Sequence, residues 1–281
     1  MMPNLAKRIA SAAVLLPLVM ILVLRGPAWS IGLLLAVFSF LAGFEIASIS
    51  CPGRPLGAKV ATALLCSFIS AAVAAAVAAP LAPLVALLAI APASLLLFLF
   101  SAREPAPSTS STAIAAFAAT YCGALLGSIS LLYPVTSLSW PLPGPDAGDG
   151  RSWILLLLLG IVASDTFAYA FGRLFGKRKL APRISPGKTW AGAFGGVLGT
   201  VVAVAAFKLF ALPELRWWEV AALGVPLSIF GQLGDLAESL LKRGFSVKDS
   251  GNLIPGHGGV LDRLDALMFG APVVLLYSLV R

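Results

Sequence analysis

The chain has 281 residues, 59% of them hydrophobic and 11% charged, with a mean hydropathy of +0.96. A soluble domain carries about 25% charged residues, so a water-soluble globule is excluded. The net charge of +8 does not point to nucleic acid, because the basic residues lie in short loops between apolar runs, where membrane proteins place them.

In lipid the backbone must satisfy its own hydrogen bonds, which leaves helices or closed barrels. The apolar runs are continuous rather than alternating, which selects helices. The expected fold is therefore an all-α polytopic membrane protein with about nine transmembrane helices. They fall near residues 9–25, 28–49, 57–79, 81–102, 112–135, 152–175, 190–211, 217–242 and 260–280. Lys7 and Arg8 precede the first run as in a signal peptide, but Arg25-Gly26-Pro27 follows without a small-x-small cleavage site. That run reads as a retained first helix. Cys51-Pro52-Gly53, Pro80, the stretch from Glu104 to Pro107, Pro141 to Gly150, Pro182 to Pro186, and Pro213 punctuate the rest. The pair of runs around Pro80 also fits a tight hairpin or two re-entrant pieces. Cys51, Cys66 and Cys122 are odd in number and lack metal-ligand spacing, so they read as small buried hydrophobes.

With nine spans, fifteen of the Lys and Arg residues share the side of the N-terminus and five lie opposite. The positive-inside bias then puts the N-terminus in the cytoplasm and the C-terminus outside. Two regions differ in polarity. Residues 1–150 form a transmembrane scaffold (spans 1–5) whose main polar exception is Glu45, which either braces a site or pairs with a neighbour. Residues 151–281 form the expected catalytic region (spans 6–9) with cytoplasmic basic and Gly-rich loops. In span 7, Gly192-x-x-x-Gly196 and Gly195-x-x-x-Gly199 read as close helix packing.

Asp165, Asp235, Glu238, Asp262 and Asp265 all fall in or at the ends of spans. Each carboxylate at helix centre costs about 2.5–3.5 kcal/mol, so partners, water or a cation must compensate. Asp235, Glu238 and Lys242 are spaced to share one helical face, as are Asp262 and Asp265. Interhelical salt bridges to Lys242, Arg243 and Arg263 are the structural alternative to a site. Between the acidic helices lies a loop from Lys248 to Gly259 whose glycines would let backbone N–H groups approach phosphate oxygens. His257, the one histidine of the chain, sits among them with an acid, donor or loop-bracing role open to it. The loop between spans 6 and 7 carries Arg173, Lys177, Arg178, Lys179, Arg183 and Lys188, either as a polybasic lipid-facing patch or as a polyphosphate clamp. Ser185-Pro186-Gly187-Lys188-Thr189 ends like a P-loop, but Pro182 stands where that motif needs glycine.

The run Ser239-Leu-Leu-Lys242-Arg243, four further residues, then Lys248-Asp249-Ser-Gly-Asn-Leu-Ile-Pro255-Gly-His257-Gly-Gly-Val-Leu-Asp262-Arg263-Leu-Asp265 resembles the signature of phosphatidate cytidylyltransferases. Ser164-Asp165-Thr166-Phe167-Ala168-Tyr169, with Gly172-Arg173 and Gly176-Lys177 after it, is similar to the family's sixth-helix segment. Ser185-Pro186-x-Lys188-Thr189-Trp-x-Gly192 is similar to its loop motif, departing where the family usually has Lys (here Gly187) and Glu (here Ala191). The likeness is concentrated in residues 160–270.

The resemblance implies transfer of a cytidylyl group from CTP to phosphatidic acid, giving CDP-diacylglycerol and pyrophosphate, in a bacterial cytoplasmic (inner) membrane with the site facing the cytoplasm. It implies Mg2+ held by Asp235 and Asp262, K+ as a second ion, and a homodimer. The expected catalytic set is Asp235, Asp262, Asp265, Lys242, Arg263 and His257. The expected substrate-binding set is Asp165, Lys188, Thr189, Ser239, Arg243, Lys248, Asp249, Gly258 and Gly259. Two rivals remain: a CTP-using lipid kinase moving the γ-phosphoryl group, and an ion-coupled transporter using the buried aspartates as its cation site.

Overall fold

The structure, a computed structural model, describes residues 17–77, 87–88, 90, 92–94, 96, 105–133, 150–254 and 258–280. Much of the first expected span, most of the fourth, and His257 lie outside the described residues. Seven helices among the described residues are long and apolar enough to cross a membrane. The long helices are α1 (Ala28–Ser50), α2 (Leu56–Ala74), α4 (Arg151–Phe175), α5 (Trp190–Phe210), α6 (Trp217–Gly244) and α7 (Leu261–Val280); the seventh stretch, Ser110–Leu132, starts within α3 (Pro105–Ala118) and continues past its end. They match expected spans 2, 3, 5, 6, 7, 8 and 9. Within span 3, α2 gives way to a 3-10 turn at Ala75–Val77.

Prolines begin two of these helices. Pro27 and Pro55 precede α1 and α2 in extended conformation, where the missing N–H is no loss. Large apolar side chains point outward along the bundle, among them Phe68, Phe194 and Phe210. Exposed large apolar side chains in such number suit lipid-facing helices. The chain is a multi-span membrane protein.

The chain divides into two compact units. The first holds Met1–Leu131 and Phe245–Arg263, the second Leu132–Gly244 and Leu264–Arg281. The first unit thus includes the described part of the Gly-rich loop along with the N-terminal helices. In the first unit α3 runs into a π turn at Ala119–Ala124, one further α turn, and a 3-10 turn at Ser128–Leu132. The Ser39 hydroxyl of α1 donates to the Cys122 carbonyl in that π turn at 2.8 Å. Cys66 and Cys122 are buried, and all three cysteines are unbridged.

In the second unit α4 and α5 pack backbone against side chain. A methyl group at Gly199 would fall 2.6 Å from the Ala163 carbonyl oxygen, and one at Gly195 would fall 2.5 Å from Phe171 Cβ. The small-residue spacing therefore serves helix packing. Buried hydroxyls join the helices: Ser164 and Ser228 are 2.9 Å apart, and Thr200 donates to the Gly160 carbonyl at 3.1 Å. Such bonds are stabilising between helices in an apolar surround. Pro226 and Pro272 lie inside α6 and α7.

The all-α expectation needs one addition. Between α4 and α5 the basic loop forms an antiparallel hairpin of β1 (Lys179–Ala181) and β2 (Ser185–Thr189), with Lys179 opposite Thr189 and Ala181 opposite Ser185. Ala181 and Ser185 each precede a proline, which disfavours helical backbone there and leaves extended chain.

Candidate functional site

The second unit holds a cavity of about 520 Å³ bounded by α4, β2, α5 and α6. Its charged lining is Asp165 and Arg173 from α4, Lys188 from β2, and Asp235 from α6; Gln232 and Thr189 add uncharged polar groups. The strand β2 runs straight into α5, so Lys188 sits beside the positive end of that helix. Thr189 caps it: its Oγ1 accepts the Gly192 N–H at 3.1 Å. Thr189, expected to bind substrate, thus spends its hydroxyl on the helix start while lining the cavity wall.

Lys188 Nζ is 2.7 Å from Asp235 Oδ2, and the side chains are 22% and 39% exposed. Lys188 also donates to the Gln232 backbone carbonyl at 3.4 Å. The ion pair is therefore partly wet, and a better partner for either member could displace the other. Ser239 donates to Asp235 Oδ1 at 3.5 Å, a long contact one turn along α6. Glu238 and Lys242 pair on that same helix at 2.5 Å. The shared face expected from their spacing is present, and its cation serves Glu238 rather than Asp235. Arg243 Nε donates to the Ile184 carbonyl at 3.4 Å and so braces the hairpin. Asp265 is buried in the second unit, with its Oδ1 accepting the Ala266 N–H at 2.8 Å. Gly234 lets α6 come within contact of the Asp265 carbonyl.

The first unit holds the second cluster. Asp262 Oδ2 accepts the Gly259 N–H at 2.9 Å, the Ser250 N–H at 3.1 Å and the Ser250 hydroxyl at 3.0 Å. Gly258 has φ +87°, a left-handed conformation that favours glycine. It closes a small bridge in which the Ile254 N–H reaches the Gly258 carbonyl at 3.0 Å. The Gly259 N–H, expected to face phosphate, is thus directed at Asp262. Lys248, Asp249 and Arg263 are exposed around this loop.

Three contributors are not assigned by the sequence alone. Glu45 and Ser250 complete the Asp262 cluster, and Gln232 lines the cavity. One signal was available for Glu45: Val260, the residue before α7, has no side-chain acceptor to cap the helix, so an acceptor must come from elsewhere.

Among the described residues no group of three or more His, Cys, Asp or Glu side chains is arranged to hold a metal ion. That is compatible with Mg2+, which commonly takes one or two carboxylates and completes its shell with water and substrate phosphates. Asp235 fits this donor chemistry, since it is a hard oxygen ligand at a cavity wall already beside a cation.

Proteins named phosphatidate cytidylyltransferase from Staphylococcus epidermidis and Staphylococcus haemolyticus are each 48% identical over 126 residues, 45% of this chain and 48% of theirs. One of the same name from Staphylococcus aureus is 45% identical over the same shares. The chain spans about half the length of the curated relatives it matches. The model of the cytidylyltransferase family matches residues 6–280, nearly end to end, and the chain belongs to that family.

Proposed function

We propose that this protein transfers the cytidylyl group of CTP to phosphatidic acid, forming CDP-diacylglycerol and releasing pyrophosphate. The observation that carries the reading is the cavity in which Asp165, Asp235, Arg173 and Lys188 converge beside the N-terminus of α5. A polyphosphate needs cations and helix-end N–H groups; a bound divalent ion needs carboxylates. The names of the relatives favour the same reaction.

Asp235 in the second unit and Asp262 in the first are each proposed as a carboxylate ligand for Mg2+, and the family resemblance implies K+ as a second ion. When bound, Mg2+ neutralises phosphate charge and aligns an in-line displacement at the α-phosphorus. Lys188 exchanges its carboxylate partner for a phosphate oxygen as the nucleotide enters. Arg173 adds a planar donor suited to bidentate contact. Lys242 and Arg243 of the second unit, and Lys248 and Arg263 of the first, are proposed as cations that attract CTP. The attacking phosphate monoester has a second pKa near neutrality, like the roughly 6 of phosphorylated side chains. It carries its own nucleophilic oxygen, so no general base is required, and His257 serves to position the loop. The proposed site faces the cytoplasm of a bacterial inner membrane, with the N-terminus on that side, and the proposed assembly is a homodimer.

The test is a cytidylyl-transfer assay on detergent-purified protein with labelled CTP and phosphatidic acid, with and without Mg2+. Metal-dependent CDP-diacylglycerol and pyrophosphate are expected. CDP with a doubly phosphorylated lipid would instead identify a kinase, and no CTP turnover with ion counterflow in proteoliposomes would identify a transporter.

A further inference from the structure

We infer that Glu45, near the C-terminal end of the apolar helix α1, is a positioning residue for the Asp262 carboxylate. The inference rests on the reaction proposed above. Glu45 is 3% exposed. A carboxylate so buried is stable only where donors replace its water. It has three. The Val260 N–H reaches Oε1 at 2.9 Å, the Leu261 N–H reaches Oε2 at 2.9 Å, and the Ser250 hydroxyl reaches Oε2 at 2.8 Å. The first two are N–H groups at the start of α7, which have no intrahelical partner. Val260 has no side chain to cap them, so Glu45 does this across 215 and 216 residues of sequence. A negative charge at a helix N-terminus also meets the favourable end of its dipole.

The same loop atoms then hold Asp262. Ser250 carries one hydroxyl proton and stands within hydrogen-bonding distance of both Glu45 Oε2 and Asp262 Oδ2. The two carboxylates thus share four backbone N–H groups, those of Ser250, Gly259, Val260 and Leu261, and one hydroxyl. Glu45 has shaped the loop around itself. A methyl group at Gly251 would fall 2.5 Å from Glu45 Oε1, and one at Gly259 would fall 2.5 Å from Oε2. Removing the Glu45 charge frees the first turn of α7 and Ser250 together, and with them the donors that aim Asp262. A passive latch would affect stability alone. A positioning residue changes turnover and metal dependence while leaving nucleotide binding in place.

The experiment compares wild type, Glu45→Gln and Ser250→Ala as purified full-length proteins. Hydrogen–deuterium exchange over residues 246–264 is measured without metal or substrate, and transfer kinetics are measured across a Mg2+ titration. Glu45→Gln is expected to speed exchange at 258–264. It should lower kcat about 10- to 100-fold, the range for partners that orient a metal ligand. The half-saturating Mg2+ concentration should rise while KM for CTP stays within about twofold. Ser250→Ala should shift the same quantities less, and it carries the test if Glu45→Gln does not fold. Unchanged exchange in a folded Glu45→Gln protein overturns the inference, as does a loss confined to KM for CTP. Wild-type protein that forms no CDP-lipid would overturn the proposed reaction instead, and the exchange measurement would still decide whether Glu45 holds the loop.

Discussion

The two units hold their principal carboxylates in opposite ways. In the first, Glu45 and Asp262 are bound by backbone N–H groups of one loop and one helix start, which cannot move without the fold. In the second, Asp235 is bound by the ammonium of Lys188, a flexible side chain in a half-open cavity. Backbone donors fix a carboxylate in place; a lysine partner can be exchanged for a phosphate. The first arrangement is rigid and the second is exchangeable.

The largest expected effect tests the fixed side. Asp262→Asn should lower cytidylyl transfer by more than about 100-fold, beyond the range for groups that merely orient a ligand. Near-normal transfer by that variant would dissolve the comparison. Lys188→Met tests the exchangeable side and should cost about 10- to 100-fold in kcat/KM for CTP, as expected for losing one charge-assisted hydrogen bond. If it instead lowers thermal stability with kcat/KM intact, the ion pair is structural. Gly258→Ala should destabilise the protein by roughly 1–2 kcal/mol, the cost of a side chain in left-handed backbone, read as a lower unfolding midpoint in detergent. An unchanged midpoint would mean the loop relaxes and Asp262 is less rigidly held than the geometry states.

Two smaller effects sharpen the picture. A Cβ at Gly187 meets open space, and the residue lines the cavity. Gly187→Lys restores the cation usual in related loop motifs, and KM for CTP should fall about two- to fivefold, as for a partly exposed charge contact. A rise in KM would place the triphosphate elsewhere. His257→Gln should keep kcat within about threefold if the attacking phosphate needs no general base; a loss as large as that of Asp262→Asn would assign His257 a role in the chemistry.

What the sequence by itself determined was the bundle and its chemical inventory. An apolar run near 20 residues declares a span by composition, because insertion depends on local hydropathy. So α1, α2 and α4 to α7 begin within about one residue of where the hydropathy places them. The carboxylates and the glycine loop were equally legible, since a charge within an apolar run stands out against it. Proline-flanked extended chain carries no such hydropathy signal, so the β1–β2 hairpin is visible only in the structure. Only the tertiary structure decided partnership. Lys188 sits in a basic loop that repels its own neighbours, yet it meets Asp235 because β2 and α6 wall one cavity. Glu45 is isolated in α1, and its donors lie more than 200 residues away. Hydropathy is a property of a segment; a hydrogen-bond partner is a property of how segments pack, and an unpaired buried carboxylate is the force that makes the packing specific.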